Sequence, residues 1–552
     1  MGNKSSKIYQ EQIEIIQKKL NDPILGIKFK EKEIDGIIRL DALDLQHEIV
    51  VTDHVSVDNA LRAFHQQNVK LNNRNHALTD VLYDKPLKRA ETLQELIDNG
   101  KFNLEQFPLT GFILSVKDCF KLKGTTCTYG FSINLGKTEE TQSKTMKLLI
   151  EKGALITCKG NIPQGLFSME CNNNIFGTAT NPYDEKRSPG GSSGGDAALV
   201  ATYCVNAALG NDNGGSVSIP ALFCGIVGFK PTLNRISNEA EAAYFYKQTF
   251  NHELPDATEI TYATIGPLTR SVKDAEMLMK VLIESSKFDP TVPPLPWRQV
   301  KLPKKIGLFM GFSQIEIAPS HRRALNMAAD VLRKHNIEVE ELNLDHFFED
   351  IAVYSVAQYF KDNILCGILR QKIAIKEPLI NEYRQVSMLL KLPIPIVVYL
   401  AKKYAGKRRG LYIKALLKSY RTNTQNLKRE ISDFTLKFRE SLSNRGINML
   451  LAPGMVTPAV LHGSADINSL QEVYTFMFNL FNFAAGALPI TRVAENEQYY
   501  TSTIDDEITQ SFVENMKNSA GLPVGVQVAG FSWMDEEVIH VMKAIEKDIN
   551  YA

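Results

Sequence analysis

SPGGSSGGDAALVATYCVNAALGNDNGGSVSIPALFCGIVGFKPT, residues 188–232, decides how this chain is read. Two glycine clusters, GGSSGG (190–195) and NGGS (213–216), bracket DAALVATYCVNAAL (196–209), which is apolar almost all the way round, as a buried helix is. Glycine lets backbone amides approach a ligand closely and adopt conformations closed to other residues. Amides gathered beside a serine are what a developing oxyanion needs. The block is not a phosphate loop, because it holds no GxxxxGK[ST] pattern. One Gly/Ser cluster reads first as a plain loop. Two clusters joined by a buried segment, together with a lysine on an apolar strand, read as nucleophilic chemistry.

That lysine is Lys117, in ILSVKDCF (113–120), flanked by Ile113, Leu114, Val116 and Phe120. Removal from water disfavours an ammonium, so a buried lysine can be neutral and act as a base. Taken alone, Lys117 reads first as a snorkelling side chain at a strand end.

Outward from this block, β-rich and helical segments alternate. GFILSVK (111–117), LITCKGN (155–161), KKIGLFM (304–310), IEVEELNL (337–344), NMLLAPG (448–454) and GLPVGVQVAG (521–530) read as strands. TMKLLIEKGA (145–154) and HRRALNMAADVLRKHN (321–336) read as helices. The pattern predicts an α/β fold: one large domain with a mixed, twisted sheet covered by helices on both faces. FDPTVPPLPWR (288–298) reads as a surface connector.

Of 552 residues, 44% are hydrophobic and 23% charged, ample material for a large core. Lys plus Arg (63) nearly equals Asp plus Glu (62), so no global charge points to nucleic acid. The seven cysteines are scattered without a CxxC pair, and no secretory apolar region opens the chain; reduced thiols in a cytosol-facing protein are expected. No uncharged apolar run reaches the roughly 18 residues of a spanning helix.

Two segments nevertheless suit a membrane surface. The chain begins MGNKSSK, where Gly2 and Ser6 fit the myristoylation pattern. One such chain binds only marginally, so a second contact is needed. LLKLPIPIVVYLAKKYAGKRRGLYIK (389–414) supplies it: Ile394, Ile396, Val397, Val398 and Leu400 precede Lys402, Lys403, Lys407, Arg408 and Arg409. Between the two, residues 8–20 and 55–73 read as amphipathic helices, and 1–74 are taken as an N-terminal membrane-proximal arm.

Across residues 75–545, LSVKDCFKLKG, GNIPQGLFSMECNNNIFGTATNPY, SPGGSSGGD, GGSVSIPALFCGIVGFKPT, FDPTVPPLPWR, LLAPG and MKNSAGLPVGVQ resemble the amidase-signature hydrolases. Within that family the chain looks most like the fatty acid amide hydrolase subgroup. The resemblance implies a catalytic domain over 75–545, with 389–414 inserted as a membrane-contact cap. It implies Lys117 as base, Ser192 as a bridging serine on a cis peptide bond, and Ser216 as nucleophile. The amides of Asn213, Gly214, Gly215 and Ser216 would hold the oxyanion. Leu166, with Phe167 and Met169, would border the acyl path. No metal or cofactor is needed. Two positions depart from the family: Ser218 stands where an Arg is usual, and Asn213 where an apolar residue is usual.

The expected activity is hydrolysis of long-chain fatty acid amides, of N-acylethanolamine type, to fatty acid and amine through acyl-Ser216. The expected setting is the cytoplasmic face of an endomembrane, and a homodimer is compatible with the resemblance. The competing readings are an amidase for small or peptidic amides, one component of an amidotransferase, and a catalytically dead lipid-binding relative.

Overall fold

The computed structural model describes residues 2–22, 29–71, 73–239, 263–362, 392–403 and 408–549, with 384, 388 and 551 singly. Short apolar runs become the strands: β1 (Leu78–Val81), β2 (Ile113–Lys117), β3 (Leu155–Gly160), β4 (Ala207–Asp212), β5 (Val227–Lys230), β6 (Thr264–Thr269), β7 (Lys305–Phe309), β8 (Glu338–Leu342), β9 (Met449–Pro453), β10 (Ala484–Arg492) and β11 (Pro523–Gly530). They form one mixed sheet of eleven strands among the described residues, in the order β1-β3-β2-β4-β6-β5-β10-β11-β9-β7-β8. β2 runs parallel to β3 and β4, and β7 parallel to β8 and β9. The remaining neighbours are antiparallel.

The helices used below are α1 (Gly2–Leu20), α2 (Val57–Leu71), α3 (Gly194–Ala201), α4 (Ser218–Cys224), α5 (Val272–Leu282), α6 (Pro319–Lys334), α7 (Phe348–Asp362), α8 (Ile394–Lys403), α9 (Arg408–Arg421) and α10 (Val473–Leu480). They cover both faces of the sheet. Leu114 and Val116 join a core with Leu278 of α5 and Leu325 of α6. Ile113 joins a second core with Phe64 of α2, Ala197 of α3 and Phe223 of α4. Strand residues two apart share a face, so Ser115 and Lys117 leave β2 on the side of Ile113, towards α3 and α4. Burial on both faces explains why β2, β3, β9 and β11 read as short, largely apolar strands. At the edge, β8 carries Glu338, Glu340 and Glu341. Lys305 reaches across to Glu338 at 2.9 Å and Glu340 at 2.5 Å, and such charge discourages further strand pairing.

One expectation is corrected. Residues 196–209 are not one helix: α3 ends at Ala201, and Ala207 already belongs to β4. An uncharged apolar run carries no periodicity that separates a buried helix from a buried strand. The break comes at Tyr203, whose φ is +60°, and at Asn206. The Asn206 side chain accepts the Ile113 amide at 2.9 Å and donates to the Gly111 carbonyl at 2.7 Å, fixing where β4 begins beside β2.

Ile16 and Leu20 of α1, with Ile34, Ile38, Leu45 and Ile49, are buried in the second core, so the N-terminal helices pack on the body that holds the sheet. Gly2 is the first residue of α1. Of the seven cysteines, Cys366 lies outside the described residues and the other six are free and buried. No helix among the described residues is long and apolar enough to cross a membrane.

Candidate active site

Lys117 ends β2, Ser192 precedes α3, and Ser216 lies in the turn between β4 and α4. The structure brings the three together. Lys117 Nζ donates to Ser192 Oγ at 2.6 Å, and Ser192 Oγ donates to Ser216 Oγ at 2.9 Å. The Gly191–Ser192 peptide bond is cis. Lys117 and Ser192 are buried, whereas Ser216 is half-buried and faces the cavity described below. Lys117 also donates to the Asn211 side-chain oxygen, and to the Asn211 carbonyl at 3.4 Å. These bonds aim the amine along the row of hydroxyls.

The turn that presents Ser216 is organised by a residue that sequence reasoning does not single out. Asp212, the last residue of β4, is buried and accepts the Gly215 amide on Oδ1 at 2.7 Å and the Val217 amide on Oδ2 at 2.7 Å. Asn479 of α10 donates to Oδ1 at 3.1 Å, and Thr475, one turn earlier, donates to the Gly214 carbonyl at 2.9 Å. Adjacent strand residues point to opposite faces, so Asn211 serves the lysine while Asp212 serves the turn. The legible signals are an Asp three residues before a glycine turn, and two polar residues four apart on the otherwise apolar VYTFMFNL helix.

Asp212 also corrects the oxyanion assignment. The Gly215 N–H is committed to its carboxylate and does not face a substrate. Among the described residues, the amides of Asn213, Gly214 and Ser216 donate to no protein acceptor, and Gly214 and Ser216 line the cavity. Gly215 itself has φ +111°, a backbone conformation that favours glycine. A Cβ on Gly214 would lie 2.0 Å from the Phe476 ring, so the close approach there requires glycine.

At Ser218, where the family's Arg is missing, the backbone N–H reaches Asp212 Oδ2 at 3.2 Å and the hydroxyl at 3.5 Å. Lys230, at the end of β5, is buried, and burial pushes its amine down to about 8 against the attraction of Asp212 and Asp535.

Ser216 and Gly191 open on a cavity of about 600 Å³. Leu166, Phe167 and Met169 all line it, together with Val356, Tyr359 and Phe360 of α7. Phe167 stacks on Tyr359, with ring centroids 5.4 Å apart, and meets Phe360 edge-on at 5.6 Å. Leu400 of α8 and Leu411 of α9 complete this wall. Arg408, Arg409, Asp466, Glu472 and Glu507 also border the cavity.

The segment 389–414 needs a correction of its own. Arg408 is buried and paired with Asp506, so it is not part of an exposed basic cluster. Arg409 is exposed and meets Glu507 at 2.5 Å. Residues 389–391 and 404–407, including Lys407, lie outside the described residues, as do the side chains of Ile394 and Lys402. The described part of α8 is two-sided. Val397 is buried and Leu400 faces the cavity, while Ile396 (44% exposed) and Tyr399 (63% exposed) face outward.

The amidase family profile matches residues 59–539, and the chain belongs to that family, the amidase-signature hydrolases. Fatty-acid amide hydrolase 1 of Sus scrofa is 29% identical over 460 residues, covering 80% of this chain and 76% of its own. An amidase of Gibberella moniliformis is 27% identical over 527 residues, 93% of this chain and 89% of its own. A solved fatty acid amide hydrolase superposes with a TM-score of 0.74 at 21% identity, over 98% of this chain and 96% of that one. The protein is an amidase-family hydrolase.

Proposed function

We propose that this hydrolase cleaves long-chain fatty acid amides, of N-acylethanolamine type, to free fatty acid and amine. The observation that carries the proposal is the unbroken path Lys117–Ser192–Ser216 ending at a largely apolar cavity. Neutral Lys117 takes a proton from Ser192, which takes one from Ser216 as Ser216 Oγ attacks the carbonyl carbon. The amides of Gly214 and Ser216, with that of Asn213, receive the oxyanion. The proton returns through Ser192 to the departing nitrogen, which leaves as a neutral amine, and water then hydrolyses acyl-Ser216.

The acyl chain would lie along Phe167 and α7. The cap that closes this wall, α8 and α9, also presents Ile396 and Tyr399 outward, so one helix pair would face both the bilayer and the substrate path. With a myristoylated Gly2 as second anchor, the enzyme would sit on the cytoplasmic face of an endomembrane.

Asp466 and Glu472 on the cavity border favour a second reading, an amidase for small polar or peptidic amides. Turnover of amides of increasing acyl length by the purified protein separates the two. The first reading requires kcat/KM to rise steeply with chain length; a flat or falling series supports the second.

A further inference from the structure

Two rungs connect β2 to the segment that carries Ser192. Lys117 meets Ser192, and Ser115, two residues earlier on the same face, donates to Asp196 Oδ1 at 2.5 Å. Asp196 lies in the first turn of α3 and has no exposure. Its second oxygen, Oδ2, has no hydrogen-bond partner among the described residues. The carboxyl is pressed against Gly160, where a Cβ would lie 2.3 Å from Asp196 Cγ and 2.4 and 2.5 Å from its oxygens. The end of β3 is therefore shaped around this group. A buried acceptor left without a partner is expensive, and a hydrophobic helix turn has no packing need for it.

The groups facing the carboxyl are few. Asp118 is held by Lys159 at 3.0 Å and by Thr128. The thiols of Cys171 and Cys158 are pushed up by burial and stay neutral. Lys117 leaves the same face of β2 two residues from Ser115, its cross-strand partner on β3 is the Gly160 against which the carboxyl rests, and its positive charge, once protonated, favours the carboxylate. Burial pushes the Asp196 carboxyl up to about 7, opposed by the Ser115 hydroxyl and by Lys117, so its charge is available near neutrality.

We infer that Asp196 is the counter-charge of Lys117, a positioning residue that acts through the lysine by stabilising the ammonium formed when the Ser216 proton is relayed. This rests on the proposed relay. The proton leaves Ser216 Oγ, Ser192 passes on its own, and Lys117 gains one proton and a positive charge; no bond to Asp196 forms or breaks. An anion beside Lys117 makes it a stronger base and also keeps it protonated to higher pH. Loss of the anion reverses both effects.

The test is the second-order rate at which a fluorophosphonate labels Ser216, followed against pH in wild type, Asp196→Asn and Ser115→Ala. Asp196→Asn is expected to lower the plateau rate by up to about tenfold and to move the acid limb down by about one pH unit. Ser115→Ala removes the donor that favours the carboxylate, so its limb moves the same way by less. A folded Asp196→Asn protein whose acid limb does not move overturns the inference, whatever its plateau. Should that variant fail to fold, an unmoved limb in Ser115→Ala overturns it instead. Absence of labelling in the wild type would overturn the relay itself, which separates the two failures.

Discussion

Asp212 Oδ1 accepts the Gly215 amide at 2.7 Å, so the residue before Ser216 is held by the strand that precedes the turn. Donors from three further residues, Val217, Ser218 and Asn479, converge on the same carboxylate. The position of Ser216 thus depends on a buried group that no substrate reaches. In Asp212→Asn an N–H₂ replaces one acceptor oxygen and opposes an amide donor. A displacement of about 1 Å in a catalytic group costs on the order of a hundredfold in rate. Steady-state kinetics should show kcat lower by about that factor with KM little changed. An unchanged kcat would mean that the turn holds itself.

Phe167 is part of the apolar wall of the cavity. It stacks on Tyr359 and meets Phe360 edge-on, and truncation to Ala removes a surface along which an acyl chain would lie. Burial of a side chain of this size stabilises by roughly 1.5–3 kcal/mol. Phe167→Ala should therefore lower kcat/KM for long-chain amides by about 10- to 100-fold and leave short-chain amides almost untouched. Equal losses on both, measured on one chain-length series, would remove Phe167 from the acyl path.

Much of this is legible in the chain itself. Six of the eleven strands, β2, β3, β7, β8, β9 and β11, are readable as short runs bounded by turn residues, whereas β1, β4, β5, β6 and β10 are not. Lys117, Ser192 and Ser216 stand out by residue type and by likeness to a family. Asp212 does not, because NDNGGS advertises its glycines, whereas the direction of Asp212 depends on where β4 begins. That start is hidden, since AAL is as good a helix as a strand. Arg408 reads as one of several exposed cations because sequence cannot show that Asp506, almost a hundred residues on, neutralises it.

His65 of α2 is buried edge-on against Tyr83, the ring centroids 4.1 Å apart. Burial pushes it down from its ordinary 6.5 to about 4, so the folded chain keeps it neutral. The unfolded chain takes up a proton as pH falls through about 6.5, and the folded chain does not until about 4; stability is lost across that window. The loss between about pH 7.5 and about pH 5 is about 2 kcal/mol for this residue. His321, pushed down to about 3, acts in the same sense, while Asp274 and Glu546, pushed up to about 6 and about 7, act in the opposite one. Denaturant unfolding at both pH values should show His65→Gln less acid-sensitive than wild type by about 2 kcal/mol. Identical pH dependence would place His65 outside the titrating set.

Ile396 and Tyr399 form the outward side of α8. Replacing both with Glu should lower co-sedimentation with anionic vesicles about tenfold or more, since each inserted apolar side chain contributes on the order of 1 kcal/mol or more. Labelling by a water-soluble probe should be preserved. Unchanged vesicle binding would remove α8 from the proposed membrane contact, and mass spectrometry showing an unmodified Gly2 in the native source would remove the proposed acyl anchor.

The most direct measurement is fluorophosphonate labelling followed by peptide mapping, with the variants Ser216→Ala, Ser192→Ala and Lys117→Ala. The relay predicts one adduct, on Ser216, that is abolished in Ser216→Ala and slowed by orders of magnitude in the other two folded proteins. An adduct on another serine, or labelling that proceeds at the wild-type rate without Lys117, would contradict it.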